Sequence, residues 1–171
     1  WSIAHLNDAS AASLERMKAL GLGWTVQDML YFSEDPGRGM PPVMSGKKLG
    51  VPVGAGTDAH RIASYNPFTS LQWLLEGKTA GGLALRRVDE APGREDALRF
   101  YTLGSAWFSR DESDRGSLEV GKRADLAVLS KDYMSVPVGE VGTIESLLTM
   151  VGGRVVFAAG MYAQLEEKAG R

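Results

Sequence analysis

Cysteine is absent from all 171 residues, which excludes a disulfide framework, a thiolate nucleophile and any cysteine-ligated metal. The same absence agrees with a reducing compartment, and a cytoplasmic location is the expectation. A charge bias is also missing: 19 Lys and Arg against 21 Asp and Glu leave a net charge of −2, with a pI near 5.7. The basic residues are scattered among acids, so no nucleic acid and no anionic membrane surface is expected as a partner. No apolar run approaches the roughly 20 residues of a membrane span, and no signal peptide is visible. Histidine is scarce, with only His5 and His60. What remains is globular material, 44% apolar and 23% charged, enough for one ordinary core or one and a half small ones. The chain opens Trp1-Ser2-Ile3 without an initiator Met, and it is expected to be a piece of something longer.

Gly50 to Arg61 (Gly-Val-Pro-Val-Gly-Ala-Gly-Thr-Asp-Ala-His-Arg) is the stretch around which the rest is organised. Val51, Val53 and Ala55 with intervening glycines read as a strand crowded on both faces, as buried parallel strands are. The strand runs out on Asp58. An acid there either caps the following turn or sits at the open end of a parallel sheet, where α/β folds build their sites.

Upstream, Trp1 to His5 reads as the tail of a strand, and Ser10 as the N-cap of a helix through Leu20 stopped by Gly21. Gly23 to Gln27 is a second short strand, followed by a long Gly-, Pro- and acid-rich loop from Asp28 to Pro42 and a short helix over Val43 to Leu49. Trp24, Gln27 and Tyr65 are candidates to line a pocket, or else ordinary packing. The alternation βαβαβ predicts parallel strands with crossover helices. Downstream, Pro67 opens a helix to about Glu76, Gly77 to Gly93 is a loop, and Arg94 to Phe108 reads as one long helix with Ala97, Tyr101, Gly104 and Phe108 on a stripe. A charged segment, Ser109 to Arg115, marks the expected boundary between residues 1–113 and 114–171. Beyond it, Gly116 to Val120 and Ala124 to Leu129 read as paired strands. Leu147 to Val151 and Arg154 to Ala158 read as a hairpin whose Gly152-Gly153 suits a primed turn.

Gly54-Ala55-Gly56-Thr57-Asp58-Ala59 matches the dinucleotide fingerprint in form. The helix that should begin at the glycines is replaced by irregular sequence ending in Asn66-Pro67. Gly77-Lys78-Thr79 resembles the end of a P-loop, but Gln72 stands where its first glycine belongs. Nothing resembles a nucleophile elbow. His5 and Asp58, one at the end of the first strand and one at the end of the third, are a donor pair suited to Zn²⁺ or a neighbouring divalent ion, although catalytic zinc sites take three protein ligands plus water.

Ile3-Ala4-His5, Val51 to Asp58, the helix Glu95 to Thr102, Gly116-Ser-Leu-Glu-Val-Gly-Lys-Arg-Ala-Asp-Leu-Ala-Val-Leu129 and Val151-Gly-Gly-Arg-Val-Val156 together resemble the C-terminal part of metal-dependent amidohydrolases. The nearest branch is amidohydrolase family 3, which includes deacylase-like and formamide-deformylase-like enzymes. The resemblance covers residues 1 to about 160. It implies an α/β fold: about strands six to eight of a (β/α)8 TIM barrel, plus a segment of a small composite β-sandwich. It implies that His5 is the metal-ligand histidine after strand six. Asp58 becomes the aspartate after strand eight that contacts the metal and handles the proton of the attacking water. His60 and Arg61 fall where the loop after strand eight meets substrate. The cofactor implied is a divalent metal, zinc or alternatively iron or manganese, and the reaction is cleavage of a non-peptide C–N bond of a small molecule. The family's His-x-His pair, its strand-four ligand and its strand-five histidine have no counterpart here. The isolated chain is therefore expected to be inactive, completed by the missing N-terminal part of the same protein or by another copy. A catalytically incomplete structural or interaction domain is the alternative, and a dinucleotide-binding module is a third reading.

Overall fold

The computed structural model describes residues 1–35, 39–59 and 64–166. Three short parallel strands, β1 (Ser2–Ile3), β2 (Gly23–Gln27) and β3 (Val53–Gly56), form a sheet in the order β1-β2-β3. In register, Ile3 lies beside Trp24, Trp24 beside Val53 and Gln27 beside Gly56. Side chains alternate across a sheet, so Trp24, Val26, Val53 and Ala55 share one face, while Thr25, Gln27, Gly54 and Gly56 share the other. The first face carries the core. Trp24 and Val26 are buried there with Leu14 and Met17 of helix α1 (Ala11–Ala19), Val43 of α2 (Val43–Leu49) and Leu71 and Leu74 of α3 (Pro67–Glu76).

The caps follow the local sequence. Ser10 Oγ accepts the Ser13 N–H at 3.1 Å and opens α1, as an N-cap serine should. Asn66 Oδ1 accepts from Phe68 at 2.9 Å ahead of Pro67. Gly50 and Gly77 close α2 and α3 in the left-handed conformation, with φ of 81° and 66°, which glycine adopts without steric cost. Arg86 donates to the carbonyls of Leu74 and Leu75 and satisfies the last turn of α3.

One expectation fails between Arg94 and Phe108. The helix breaks at Thr102 (φ −113°, ψ −89°) into α4 (Arg94–Tyr101) and α5 (Leu103–Ser109). The break lets α5 lie against the free edge of β3. Because Pro52 O accepts from Trp24 in β2, the alternate carbonyls of Val53 and Ala55 point the other way. Ser105 Oγ donates to Ala55 O at 2.8 Å, and Gly104 lies against Val53 O. Trp107 and Phe108, in edge-to-face contact with ring centroids 4.9 Å apart, are seated over Gly23, and Phe108 also over Gly54; an added Cβ on either glycine would meet the Phe108 ring within 2.6 Å. Side-chain stripe alone does not reveal that break.

A second sheet, antiparallel in the order β4-β5-β6, comprises β4 (Leu126–Leu129), β5 (Ser146–Val151) and β6 (Arg154–Ala158). The hairpin between β5 and β6 turns on Gly152 and Gly153, both with positive φ, as a type I′ turn requires. The expected strand at Gly116 to Val120 does not form. That segment turns instead, with Gly116 at φ 89° packed against Thr102, Leu103 and Ala106 and Lys122 donating to Ser117 Oγ and Glu112 O. β4 takes β5 as its partner. The two sheets are tied through side chains: Gln72 Oε1 accepts from Gly142 N at 2.7 Å, Asn66 Nδ2 donates to Gly142 O at 3.2 Å, and Arg94 donates to the carbonyls of Tyr133 and Val136. Apolar side chains remain in solvent along β1 (Trp1, Ile3) and on the second sheet (Val151, Val156, Phe157). No helix among the described residues is long and apolar enough to cross a membrane.

Candidate active site

Because the strands of the first sheet are parallel, the residues that follow them gather at one end. His5 stands two positions beyond β1, Asp28 directly beyond β2 and Asp58 two positions beyond β3. β1 and β3 are not neighbours. Two strand spacings, roughly 9.6 Å, separate their axes, and the two outer residues must turn toward each other to meet. Both do so in the left-handed conformation, His5 with φ 57° and Asp58 with φ 54°, a region that non-glycine residues enter at a cost of about 1–2 kcal/mol. The result is an imidazole Nδ1 3.6 Å from a carboxylate Oδ2. Both side chains keep contact with solvent, at 47% and 35% exposure. Asp58 thus faces His5 rather than serving only as a turn cap.

Residues of the middle strand hold the loop that carries His5. Gln27 Oε1 accepts the His5 N–H at 3.2 Å, and Trp24 Nε1 donates to Leu6 O at 2.8 Å. On the other side, Tyr101 Oη donates to Gly56 O at 3.3 Å and holds the end of β3. Gln27, weighed on sequence as a pocket-lining residue, therefore contacts the His5 main chain. Tyr65 is exposed.

Asp28 is the residue that the sequence reading passed over as the start of a loop. It is fully buried, accepts from Ser70 Oγ of α3 at 2.6 Å through Oδ2, and has no hydrogen-bond partner at Oδ1 among the described residues. Burial pushes its carboxyl above the ordinary carboxylate range, and the Asp58 charge adds to the rise, while the Ser70 bond opposes it. Its signal was parity. Trp24 and Val26 face the core, and the same alternation carries residue 28 to that face. Burial likewise pushes the Tyr101 phenol upward.

His5 and Asp58 present two donors of the kinds that hold zinc, iron or manganese. Their separation is near the roughly 3.4 Å between two ligands of a tetrahedral ion with bonds of about 2.0–2.1 Å, so the pair fits two corners of such a site. Among the described residues no group of three or more His, Cys, Asp or Glu gathers to hold an ion. His60 and Arg61 lie outside the described residues. An open cleft of about 490 Å³ lies elsewhere, between α1, α2 and the turn at Val88–Glu90, and neither His5 nor Asp58 lines it. The helix after β3 begins at Pro67 and not at Gly56, so among the described residues no helix N-terminus faces the glycines as a dinucleotide site requires.

Comparison with known proteins bears on the family and the fold. The chain is 37% identical over 112 residues to an N-substituted formamide deformylase of Arthrobacter pascens, covering 66% of this chain and 20% of that protein. Its structure superposes with a TM-score of 0.67 on an uncharacterized metal-dependent hydrolase from Pyrococcus horikoshii, at 27% identity over 81% of this chain and 30% of that one. A zinc-complexed variant of atrazine chlorohydrolase from Arthrobacter aurescens shares the fold at 22% identity, with a TM-score of 0.67 over 97% of this chain and 38% of that one. The chain thus spans between a fifth and two fifths of the length of these proteins. The amidohydrolase family profile matches residues 2–157, and on that match the chain belongs to the amidohydrolase family.

Proposed function

We propose that this chain is the C-terminal portion of a metal-dependent hydrolase that cleaves a non-peptide C–N bond of a small molecule. Residues 1–113 are read as about strands six to eight of a (β/α)8 barrel, and residues 114–171 as a segment of a composite β-sandwich. The observation that carries the reading is the 3.6 Å approach of His5 Nδ1 to Asp58 Oδ2 at the open end of a parallel sheet. The deformylase relative supports amide-type chemistry, and the metal-dependent and zinc-complexed neighbours support a divalent cation, zinc first and iron or manganese as alternatives. A cytoplasmic setting goes with the absence of cysteine.

In this reading His5 and Asp58 supply two of the metal's ligands, and the rest come from the remainder of the protein or from another copy. When bound, such a cation lowers the pKa of an attacking water toward about 7. Asp58, one third exposed and not buried among apolar groups, is placed to take that water's proton and pass it to the leaving nitrogen, which needs a carboxylate within hydrogen-bond reach of both. His60 and Arg61 are assigned to substrate contact. With two candidate ligands among its described residues, the isolated chain is inactive.

Elemental analysis of the protein assembled with its N-terminal portion tests this, together with hydrolysis of N-substituted formamides. The expected result is about one or more equivalents of divalent metal, lost in His5→Ala, and turnover reduced at least a hundredfold in Asp58→Asn. Metal content and turnover unchanged in both variants would sink the assignment. The gathering of only two candidate ligands among the described residues favours a second reading, an amidohydrolase-like structural or interaction domain. Under it the assembled protein holds no metal.

A further inference from the structure

We propose that Gln27 is the positioning residue that sets the imidazole of His5 against Asp58. The inference rests on the metal-site reading for its purpose and on the geometry of β2 for its substance.

His5 cannot be held by a ladder. β1 pairs with β2 only through Ser2 and Ile3, and His5 lies beyond it in a left-handed conformation that a side-chain-bearing residue keeps only when its surroundings impose it. Two contacts impose it, and both come from the strand between the paired groups. Gln27 takes the N–H on one side of the His5 α-carbon, and Trp24, from the opposite face of the same strand, takes the carbonyl of the next residue, Leu6. The peptide planes that flank the His5–Leu6 pair are thereby fixed. The Gln27 amide is itself oriented, because Nε2 donates to Thr25 Oγ1 at 3.3 Å two positions back on the same face. That orientation turns Oε1 to the His5 N–H. The register neighbour of Gln27 on β3 is Gly56, where an added Cβ would meet nothing within 4 Å. Among the described residues, nothing fills the space beside the end of β2 at Gly56.

The two clamps differ in kind. Trp24 is fully buried and packs against α2 at Gly46, so its removal would disturb the core. Gln27 is half-buried and outside the apolar cluster. Its contribution to His5 can be removed without a cavity.

Two histidines in the chain make the test direct. The ring resonances of His5 are assigned by their persistence in His60→Gln and followed in NMR spectra at fixed pH. In the parent chain Asp58→Asn shifts them, because the carboxylate is in contact. In a Gln27→Met background, which keeps side-chain length but loses the acceptor, the shift on Asp58→Asn falls at least fivefold. Gln27→Glu, which keeps an acceptor oxygen, restores it. An undiminished response in folded Gln27→Met, judged by an otherwise unchanged amide spectrum, overturns the proposal. Should Gln27→Met fail to fold, the unmodified chain decides: a nuclear Overhauser contact from the His5 amide proton to the Gln27 side chain is required, and its absence where neighbouring contacts are seen overturns the assignment. Zinc added to the parent chain, and then to the protein assembled with its N-terminal portion, separates the two readings. If zinc added to the assembled protein also leaves the His5 ring untouched, while the coupling in the parent chain still depends on Gln27, the metal site fails and the positioning role stands.

Discussion

Gly104 and Val53 meet more closely than any side chain would permit: a Cβ built on Gly104 would lie 2.2 Å from Val53 O. That contact seats α5 on the free edge of β3. The neighbouring Ser105 satisfies the next outward carbonyl, Ala55 O. Gly104 and Ser105 thus meet the two carbonyls that β3 turns away from β2.

The first prediction follows. Gly104→Ala gains helix propensity but drives a methyl into a main-chain oxygen that cannot swing aside, so it is expected to lower stability by about 2–3 kcal/mol, the upper range for overpacking. Gly56→Ala, on the same strand system but with open space around the new methyl, should change stability by less than about 1 kcal/mol. Urea denaturation of both variants checks the contrast, and similar losses for the two would mean that α5 does not rest on β3 as described.

A second prediction concerns Asp28 and pH. Its carboxyl is held above the ordinary value of 3.8 by burial. Well below that value the group is protonated in both states and contributes no difference. As pH rises past 3.8 the unfolded chain ionises Asp28 while the folded chain keeps its proton, so stability falls until the raised folded value is passed. Asp28→Asn, which can still accept from Ser70, should remove this loss. The expected outcome is that the variant gains on the parent in thermal stability as pH rises from about 4 to 7. A gain that is the same at both ends of that range would contradict the burial of an acid there.

Asn66 provides a third. Its side chain caps α3 through Phe68 N and reaches Gly142 O in the turn that precedes β5. Asn66→Ala should cost about 1–2 kcal/mol, the range for losing an N-cap. Asn66→Asp keeps the cap oxygen and loses the donor to Gly142, and is expected to recover most of the cap contribution. Equal losses in Ala and Asp would show that the tie to Gly142, and not the cap, carries the effect.

Much of this arrangement was legible in the residues. The second strand, the two short helices with glycine stops, the proline-led helix and the Gly152-Gly153 hairpin all carry local chemistry that fixes them. His5 and Asp58 could be paired on sequence because parallel strands end on one side, although only their left-handed backbones show how residues two strand spacings apart come into contact. The break at Thr102 was not legible, since the stripe of Ala97, Tyr101, Gly104 and Phe108 is what a continuous helix would show. The break goes with tertiary contacts that the stripe does not encode, Gly104 against Val53 O and Ser105 on Ala55 O. Gly116 to Val120 misled for the reverse reason. Its apolar alternation is real, yet Leu118 and Val120 stay in solvent, and β4 finds β5 instead. Asp28 was hidden because an acid after a strand reads as loop, and only the parity of Trp24 and Val26 carries it inward.

The two buried tryptophans sharpen the last prediction. Trp24 and Trp73 are both at most 2% exposed, so area alone assigns them similar costs of truncation. Their indole N–H groups differ. Trp24 Nε1 donates to Leu6 O at 2.8 Å, whereas Trp73 Nε1 is buried without a partner among the described residues. Trp→Phe removes similar ring volume at both positions, but at residue 24 it also leaves the Leu6 carbonyl without its donor, a loss of about 1–3 kcal/mol. At residue 73 the same change removes a donor that had gone unsatisfied, which offsets part of the packing loss. Trp24→Phe is therefore expected to be the more destabilising in urea by at least about 1 kcal/mol, and it alone should move the His5 ring resonances, because Leu6 follows His5 directly. Equal destabilisation, with His5 unmoved by either, would show that the loop after β1 is fixed by packing and not by the hydrogen bond from β2.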